Sequence, residues 1–156
     1  MQTRQINIWT LLGTHQICIP TNIGWRKDGT NVMGTGLAFQ AAQKYPALAL
    51  WYGRRCQDMG SDVGLQYYET GKLILFPTKP LHTGAPWLSW QGMSSPSLIE
   101  KGLKQLVAFS NDRDRTPVAL PMLGCGAGGL STKIVLKLLE RYLHEDRFVL
   151  CTGVPA

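Results

Sequence analysis

Leu120-Pro121-Met122-Leu123-Gly124-Cys125-Gly126-Ala127-Gly128-Gly129-Leu130-Ser131 is the stretch on which the reading of this chain turns. The apolar run before and into it, Val118-Ala119-Leu120, reads as a short buried strand. It empties into four glycines within six residues, after which Ser131 opens a helical pattern. Without Cβ atoms a backbone takes positive φ and comes close to a ligand. Consecutive N–H groups then converge as a nest and the positive end of a helix adds to them, so the natural guest is phosphate. A merely tight turn needs fewer glycines.

Gly124, Gly126 and Gly129 satisfy G-x-G-x-x-G literally, yet the context is wrong for a dinucleotide-binding turn. That fingerprint opens a βαβ unit with an acidic residue about twenty positions on, at the end of the next strand. Here one further strand follows, and Asp146 precedes it. No Gly-Lys-Ser/Thr follows the loop either, which removes a P-loop.

Outward from this point the chain reads as one domain, residues 1–156. Its hydrophobic fraction of 44% and charged fraction of 17% suit an ordinary globular protein. No apolar run approaches the roughly 18–20 residues of a membrane span, and Met1 to Asn7 lacks a hydrophobic signal core. The expectation is a cytoplasmic protein without membrane association. Cys18, Cys56, Cys125 and Cys151 form no C-x-x-C pair, so neither a zinc cage nor a redox pair is expected. Cys18 and Cys151 read as small buried hydrophobes. The net charge of +6 is spread over helices and loops, as suits either a solvated surface or a field that steers anions. It permits nucleic acid as a partner without indicating it.

Gln5–Thr10 alternates and reads as a first strand, and Ile17-Cys18-Ile19 with Pro20-Thr21 as a second, more buried one. A polar loop from Asn22 to Thr30 leads into Asn31-Val32-Met33-Gly34-Thr35-Gly36, and Leu37 to Lys44 is helical. This is a second strand–loop–glycine–helix transition. Pro46 opens a helix to Cys56, and Leu65–Glu69 and Leu73–Phe76 flank Thr70-Gly71-Lys72 as a hairpin. A long loop, Pro80 to Met93, carries His82, Trp87 and Trp90. Ser95-Pro96 is an N-cap with proline at the first helical position, and that helix runs to about Ser110. Ile134, Val135, Leu138, Leu139 and Tyr142 form the apolar stripe of the last helix, and Phe148 to Cys151 closes as a strand. The order predicts an α/β domain, a mixed sheet between helical layers, with ligands outside the carboxyl ends of strands.

Three segments, in this order and spacing, carry a family resemblance. They are Pro20-Thr21-Asn22 leading to Val32-Met33-Gly34-Thr35-Gly36-Leu37-Ala38, then Phe76-Pro77-Thr78-Lys79, then Leu123 to Leu130. The chain resembles a macro domain, the ADP-ribose-binding module, over nearly its full length. It looks closest to the branch of DNA ADP-ribosyl glycohydrolase antitoxins and related phage and bacterial single-domain proteins. The resemblance implies a three-layer α/β/α sandwich with a central mixed six-stranded sheet, its two glycine loops straddling the diphosphate of ADP-ribose. Asn22 and Asn31 would lie near the distal ribose, with Met33, Gly34 and Gly36 in the first loop. Gly124, Cys125, Gly126, Ala127, Gly128 and Gly129 would form the phosphate loop. Lys79 falls where this branch carries a lysine important for hydrolysis.

Cleavage at an anomeric carbon passes through an oxocarbenium-like species. An amine could attack the opened sugar, or an ammonium could sit beside the leaving oxygen. Relatives using the covalent route carry an aspartate where Gly128 falls, which demotes that route here. Many also carry an aspartate for the adenine amino group, where this chain reads Thr10-Leu11-Leu12-Gly13. The implied function is a mono-ADP-ribosyl hydrolase acting as a monomer on an ADP-ribosylated macromolecule, nucleic acid or protein, without metal or cofactor. The alternatives are a non-catalytic ADP-ribose reader and an ADP-ribose 1″-phosphate phosphatase. Trp87 and Trp90 would stack on adenine or a modified base, or pack as a lid. Cys125, near a helix N-terminus, sits in a setting that can lower a thiol's pKa, but its small size is the better reason for its place in the loop. His82, close to Lys79 in sequence, is a candidate for a proton relay, with a plain surface-loop histidine the favoured reading. No G-x-S-x-G, H-E-x-x-H or paired-acid pattern accompanies them.

Overall fold

The computed structural model describes residues 1–153. Its strands are β1 (Gln2–Arg4), β2 (Gln16–Asn22), β3 (Gln66–Tyr68), β4 (Leu73–Lys79), β5 (Val118–Leu120) and β6 (Phe148–Cys151). The helices are α1 (Gly36–Lys44), α2 (Leu48–Met59), α3 (Pro96–Asp112) and α4 (Thr132–Tyr142). The strands make one six-stranded sheet in the order β1-β6-β5-β2-β4-β3. Every pairing is parallel except β3 with β4, the hairpin at the edge.

The alternation of side chains along the central strands divides the core in two. Ile17 and Ile19 of β2 and Leu73 and Leu75 of β4 face α1 and α2, meeting Ala41, Leu48, Tyr52 and Cys56. Cys18, Ile74 and Phe76 face the other way, against Ile99, Leu103 and Leu106 of α3 and Val135 and Leu139 of α4. A parallel sheet with both faces covered reads as near-continuous apolar sequence, as Leu73 to Phe76 does. The result is a three-layer α/β/α sandwich. Phe76 marks how tightly α3 lies on it, since a Cβ at Gly102 would stand 2.4 Å from its ring.

Three expectations need correction. Gln5–Thr10 is not a strand: Asn7 accepts from the Trp9 N–H and caps a 3₁₀ turn, Ile8–Leu11. The buried pair Ile8 and Leu11 fits that turn's period of three, and the first strand is Gln2–Arg4. The second helix starts at Leu48, two residues after Pro46. Ile134 is 53% exposed, and the buried face of α4 instead continues Val135 and Leu139 into Leu143. Cys18 and Cys151 are buried as expected, and burial drives the Cys18 thiol far above its ordinary value.

β5, β2 and β4 lie side by side and parallel, so their carboxyl ends emerge together. The glycine run after Leu120, Asn22 and Lys79 therefore reach one edge of the sheet.

Candidate functional site

A cleft of about 1190 Å³ opens along that edge. Its first wall is the loop between β2 and α1. Asn31, fully buried, donates from Nδ2 to the Gly24 carbonyl at 2.8 Å, the Asn22 carbonyl at 3.0 Å and Asn22 Oδ1 at 3.1 Å. Asn22 in turn donates to the Val32 carbonyl at 2.8 Å and accepts from the Gly24 N–H at 3.0 Å. These two amides cross-brace a loop with no regular structure of its own and deliver Gly34, Thr35 and Gly36 to the cleft. Gly36 has φ +59°, in the left-handed region, and Thr35 at the N-cap makes no side-chain cap. The first N–H groups of α1 are thus left without a side-chain cap at the cleft, a ready anion site.

The second wall is the loop between β5 and α4. Gly124 and Gly129 both have φ +74°, and the Leu130 N–H closes the loop on the Gly124 carbonyl at 3.0 Å. Gly128 lacks room for any side chain: a Cβ there would stand 2.1 Å from Ser94 Oγ and 2.5 Å from the Gly124 carbonyl oxygen. Ser94 also donates its N–H to the Gly128 carbonyl at 2.9 Å, and Ser95 donates to the Thr78 carbonyl at 2.7 Å. This dipeptide ties the phosphate-type loop to the end of β4, one residue before Lys79.

Lys79 Nζ donates to the Trp90 carbonyl at 2.6 Å. Desolvation lowers its pKa from the ordinary 10.5. Trp90 belongs to a 3₁₀ turn, Pro86–Gln91, that forms the third wall. Ser89 holds this turn, accepting from the His82 N–H at 2.9 Å and donating to the Pro86 carbonyl at 2.8 Å. Gly24 packs so closely beneath that a Cβ would stand 2.0 Å from the Pro86 carbonyl oxygen. The charged residues lining the cleft are Arg26, Lys27 and Lys79, and no carboxylate joins them.

The sequence model of the family described as Macro domain matches residues 28–139. The chain belongs to the macro-domain family. It is 30% identical, over 136 residues, to a DNA ADP-ribosyl transferase–DNA ADP-ribosyl glycohydrolase fusion protein of Thermosipho africanus, covering 73% of this chain and 33% of that one. The chain spans about a third of the length of the curated relatives it matches. Its fold is similar to the macrodomain of Mycobacterium tuberculosis DarG, with a TM-score of 0.75 and 24% identity, covering 99% of this chain and 97% of that one. It is also similar to Thermosipho africanus DarTG in complex with ADP-ribose, with a TM-score of 0.69 and 26% identity, covering 97% of this chain and 43% of that one.

In this macro domain the sequence-selected residues do not all reach the cleft. Asn22, Gly34, Gly36, Lys79, Gly124, Gly126, Ala127 and Gly128 line it. Asn31 lies behind the first loop as its brace, and Met33 turns into the α1–α2 core. Gly129 shapes the second loop from outside the lining. Cys125 points away, its Sγ on the Leu123 carbonyl at 3.6 Å, and burial raises its pKa instead of the helix lowering it. The helix N-terminus at the cleft is that of α1, since the first turn of α4 is not among the lining residues. His82 is exposed and contributes only its backbone N–H. Sequence reasoning passed over Arg26, Lys27, Thr35 and Ser94 as site residues. The signals for the first three were a basic pair between Gly24 and Gly29 and an N-cap threonine before Gly36. Ser94 had none, because its role depends on a glycine 34 positions away. Among the described residues no helix is long and apolar enough to cross a membrane.

Proposed function

We propose that this macro domain binds ADP-ribose and hydrolyses it from a modified macromolecule, nucleic acid by preference, with Lys79 at the reaction centre. The observation that carries the reading is the cleft itself: two backbone walls, three cations, and no carboxylate among the lining residues. Such a surface favours a diphosphate, whose charge would be repelled by acidic groups. The diphosphate would lie between Gly34–Gly36 and Gly124–Gly128, with Asn22 toward the distal ribose. Asn31, Met33, Cys125 and Gly129 would act through the shape of the loops. The names of the relatives, DNA ADP-ribosyl glycohydrolase among them, and the ADP-ribose complex of one of them support this substrate class.

Lys79 acts in this reading as an ammonium. The Trp90 carbonyl accepts a hydrogen bond from it and aims the group, leaving another proton for the oxygen that departs from the anomeric carbon; water then adds to that carbon, and the proton it sheds restores the Lys79 ammonium. Partial desolvation strengthens that electrostatic help. Attack by a neutral amine would need a nearby acid or base to move protons, and the lining supplies none. Both loops and Lys79 come from one chain, so a single copy is enough to form the whole cleft, and the reading takes the macro domain as a monomer. Its free cysteines suit the cytoplasm.

The test is release of ADP-ribose from an ADP-ribosylated single-stranded DNA oligonucleotide and from an ADP-ribosylated protein. Lys79→Ala is expected to lose turnover and still show a thermal shift with ADP-ribose, beyond those with AMP or NAD. Wild-type turnover in that variant sinks the assignment of Lys79. Binding without release from either carrier leaves a reader, and phosphate release from ADP-ribose 1″-phosphate leaves a phosphatase.

A further inference from the structure

The 3₁₀ turn Pro86–Gln91 sets Trp87 and Trp90 three residues apart. In a 3₁₀ helix the side chains at i and i+3 eclipse, so both indoles stand on one side of the turn. They are 44% and 45% exposed, and both line the cleft. Buried indoles are ordinary core; two half-exposed ones, held on the same face at the rim of a site, are surface left for a partner.

This wall is braced. Ser89 closes the turn on itself and on His82, and Gly24 seats it with no space for a methyl group. The Trp90 carbonyl fixes it to Lys79. The backbone that carries the indoles is therefore held beside the proposed reaction centre, with little loop ordering left for a partner to impose. The cleft, at about 1190 Å³, also exceeds the roughly 300–1,000 Å³ usual for small-molecule pockets.

We propose that Trp87 and Trp90 form a stacking platform for the unpaired bases that flank a modified nucleotide in a single nucleic-acid strand. Aromatic faces interleaved with cations are the surface that holds single strands. Arg26 and Lys27 line the same cleft and supply the cations for the phosphodiester backbone, and the net charge is +6. A second copy of the chain fits poorly, because a two-fold contact through this face would set Arg26, Lys27 and Lys79 against themselves. The position of the modified nucleotide rests on the hydrolase reading above; the platform itself does not.

The experiment uses the full chain, a fluorescein-labelled single-stranded oligonucleotide of mixed sequence, its duplex, and free ADP-ribose. Anisotropy is expected to show the single strand binding well above the duplex. Trp87→Ala and Trp90→Ala each weaken it about tenfold, and Trp90→Phe recovers most of the loss. The Kd for ADP-ribose stays the same in all three, and with an ADP-ribosylated oligonucleotide the alanine variants raise KM. Equal loss of free ADP-ribose overturns the proposal, because the indoles would then hold the ligand's own adenine. Equal binding of strand and duplex overturns it too, leaving only charge. If the wild type binds the strand but not ADP-ribose, the hydrolase reading falls and the platform stands; the reverse result drops the platform alone.

Discussion

On one side of the cleft the glycines put backbone on the surface offered to a ligand: Gly34 just before α1, Gly36 at its first position, and Gly124, Gly126 and Gly128 after β5, with Arg26 and Lys27 the charged side chains of the β2–α1 loop. On the other side it is side chain, the two indoles and the leucine between them on the 86–91 turn. The glycine walls present peptide N–H groups and a helix terminus, which recognise an anion and are indifferent to what it is attached to. The aromatic wall presents π-faces, which recognise no phosphate but can tell one carrier from another. Lys79 stands between them, at the end of β4, and its hydrogen bond runs to the aromatic side. On the proposed reading, the two sides divide the work between holding ADP-ribose and selecting what carries it. Substitutions on the two sides ought to separate those properties.

The largest effect belongs to the residue between the walls. Lys79→Gln is expected to lower the turnover of an ADP-ribosylated oligonucleotide by about 10²–10⁴-fold, the usual range for a positioned proton donor. Lys79→Arg, which keeps the charge, retains more. The pH profile gives the sign of the mechanism. Burial holds the Lys79 pKa below 10.5, so the ammonium is lost within the alkaline range beneath that value. The rate then falls as pH rises through that range, and a rising limb there would point to the neutral amine instead. Lys79 gives a matching, smaller stability term. The native state binds fewer protons than the unfolded chain between the lowered pKa and 10.5, so stability rises slightly with pH across that window.

Gly128→Ala tests the backbone wall. A Cβ placed 2.1 Å from Ser94 Oγ and 2.5 Å from the Gly124 carbonyl oxygen forces the loop to move. Overpacking of this kind costs about 1–3 kcal/mol, and the displaced N–H groups are expected to weaken ADP-ribose tenfold or more by calorimetry. The steric fact also says why no carboxylate occupies this position: the loop as built has no volume for one.

Gly24→Ala tests the aromatic wall from behind. Its Cβ would meet the Pro86 carbonyl oxygen at 2.0 Å, and a backbone atom cannot swing aside as a flexible side chain does. A melting-temperature drop equivalent to about 1–3 kcal/mol is expected. The KM for a modified oligonucleotide should rise while the Kd of free ADP-ribose changes little. Loss of both together would mean the walls are not independent.

The same contrast explains what the sequence disclosed. A wall made of glycine announces itself, because four glycines in six residues have few other uses, and Gly124 to Gly128 could be assigned to a loop and a ligand class directly. The sandwich was legible for a similar reason: Leu73 to Phe76 is apolar on both faces, and Ser95-Pro96 marks a helix start that the Ser95 hydroxyl does cap, at 3.3 Å from the Leu98 N–H. Ile6 and Ile8 misled because two apolar residues at a spacing of two fit a strand, while Asn7 between them had already turned the chain. Asn31 and Met33 sat in the right loop, but one-dimensional spacing cannot say which side chains of an irregular loop face in. The aromatic wall was the least legible part. Its place depends on Gly24, Ser89 and the Trp90 carbonyl meeting across distant segments, and no local pattern encodes that.

Ser94→Ala is the smallest expected effect and the sharpest probe of the backbone wall. Its Oγ is fully buried and has no hydrogen-bond partner, although the Ser94 backbone is bonded to Gly128. An unpartnered buried hydroxyl costs free energy, so the alanine variant is expected to be neutral or more stable by up to about 1 kcal/mol, read as an unchanged or slightly raised melting temperature. Ser94 lines the cleft, but its hydroxyl is buried, so ADP-ribose affinity is expected to hold. Ser94→Thr, adding a methyl group where Gly124 and Gly128 already crowd the side chain, is expected to destabilise. If Ser94→Ala instead lowered the melting temperature, the hydroxyl would have to be hydrogen-bonded through a buried water, and the second loop would owe its shape to polar bonding as well as to the lack of side chains.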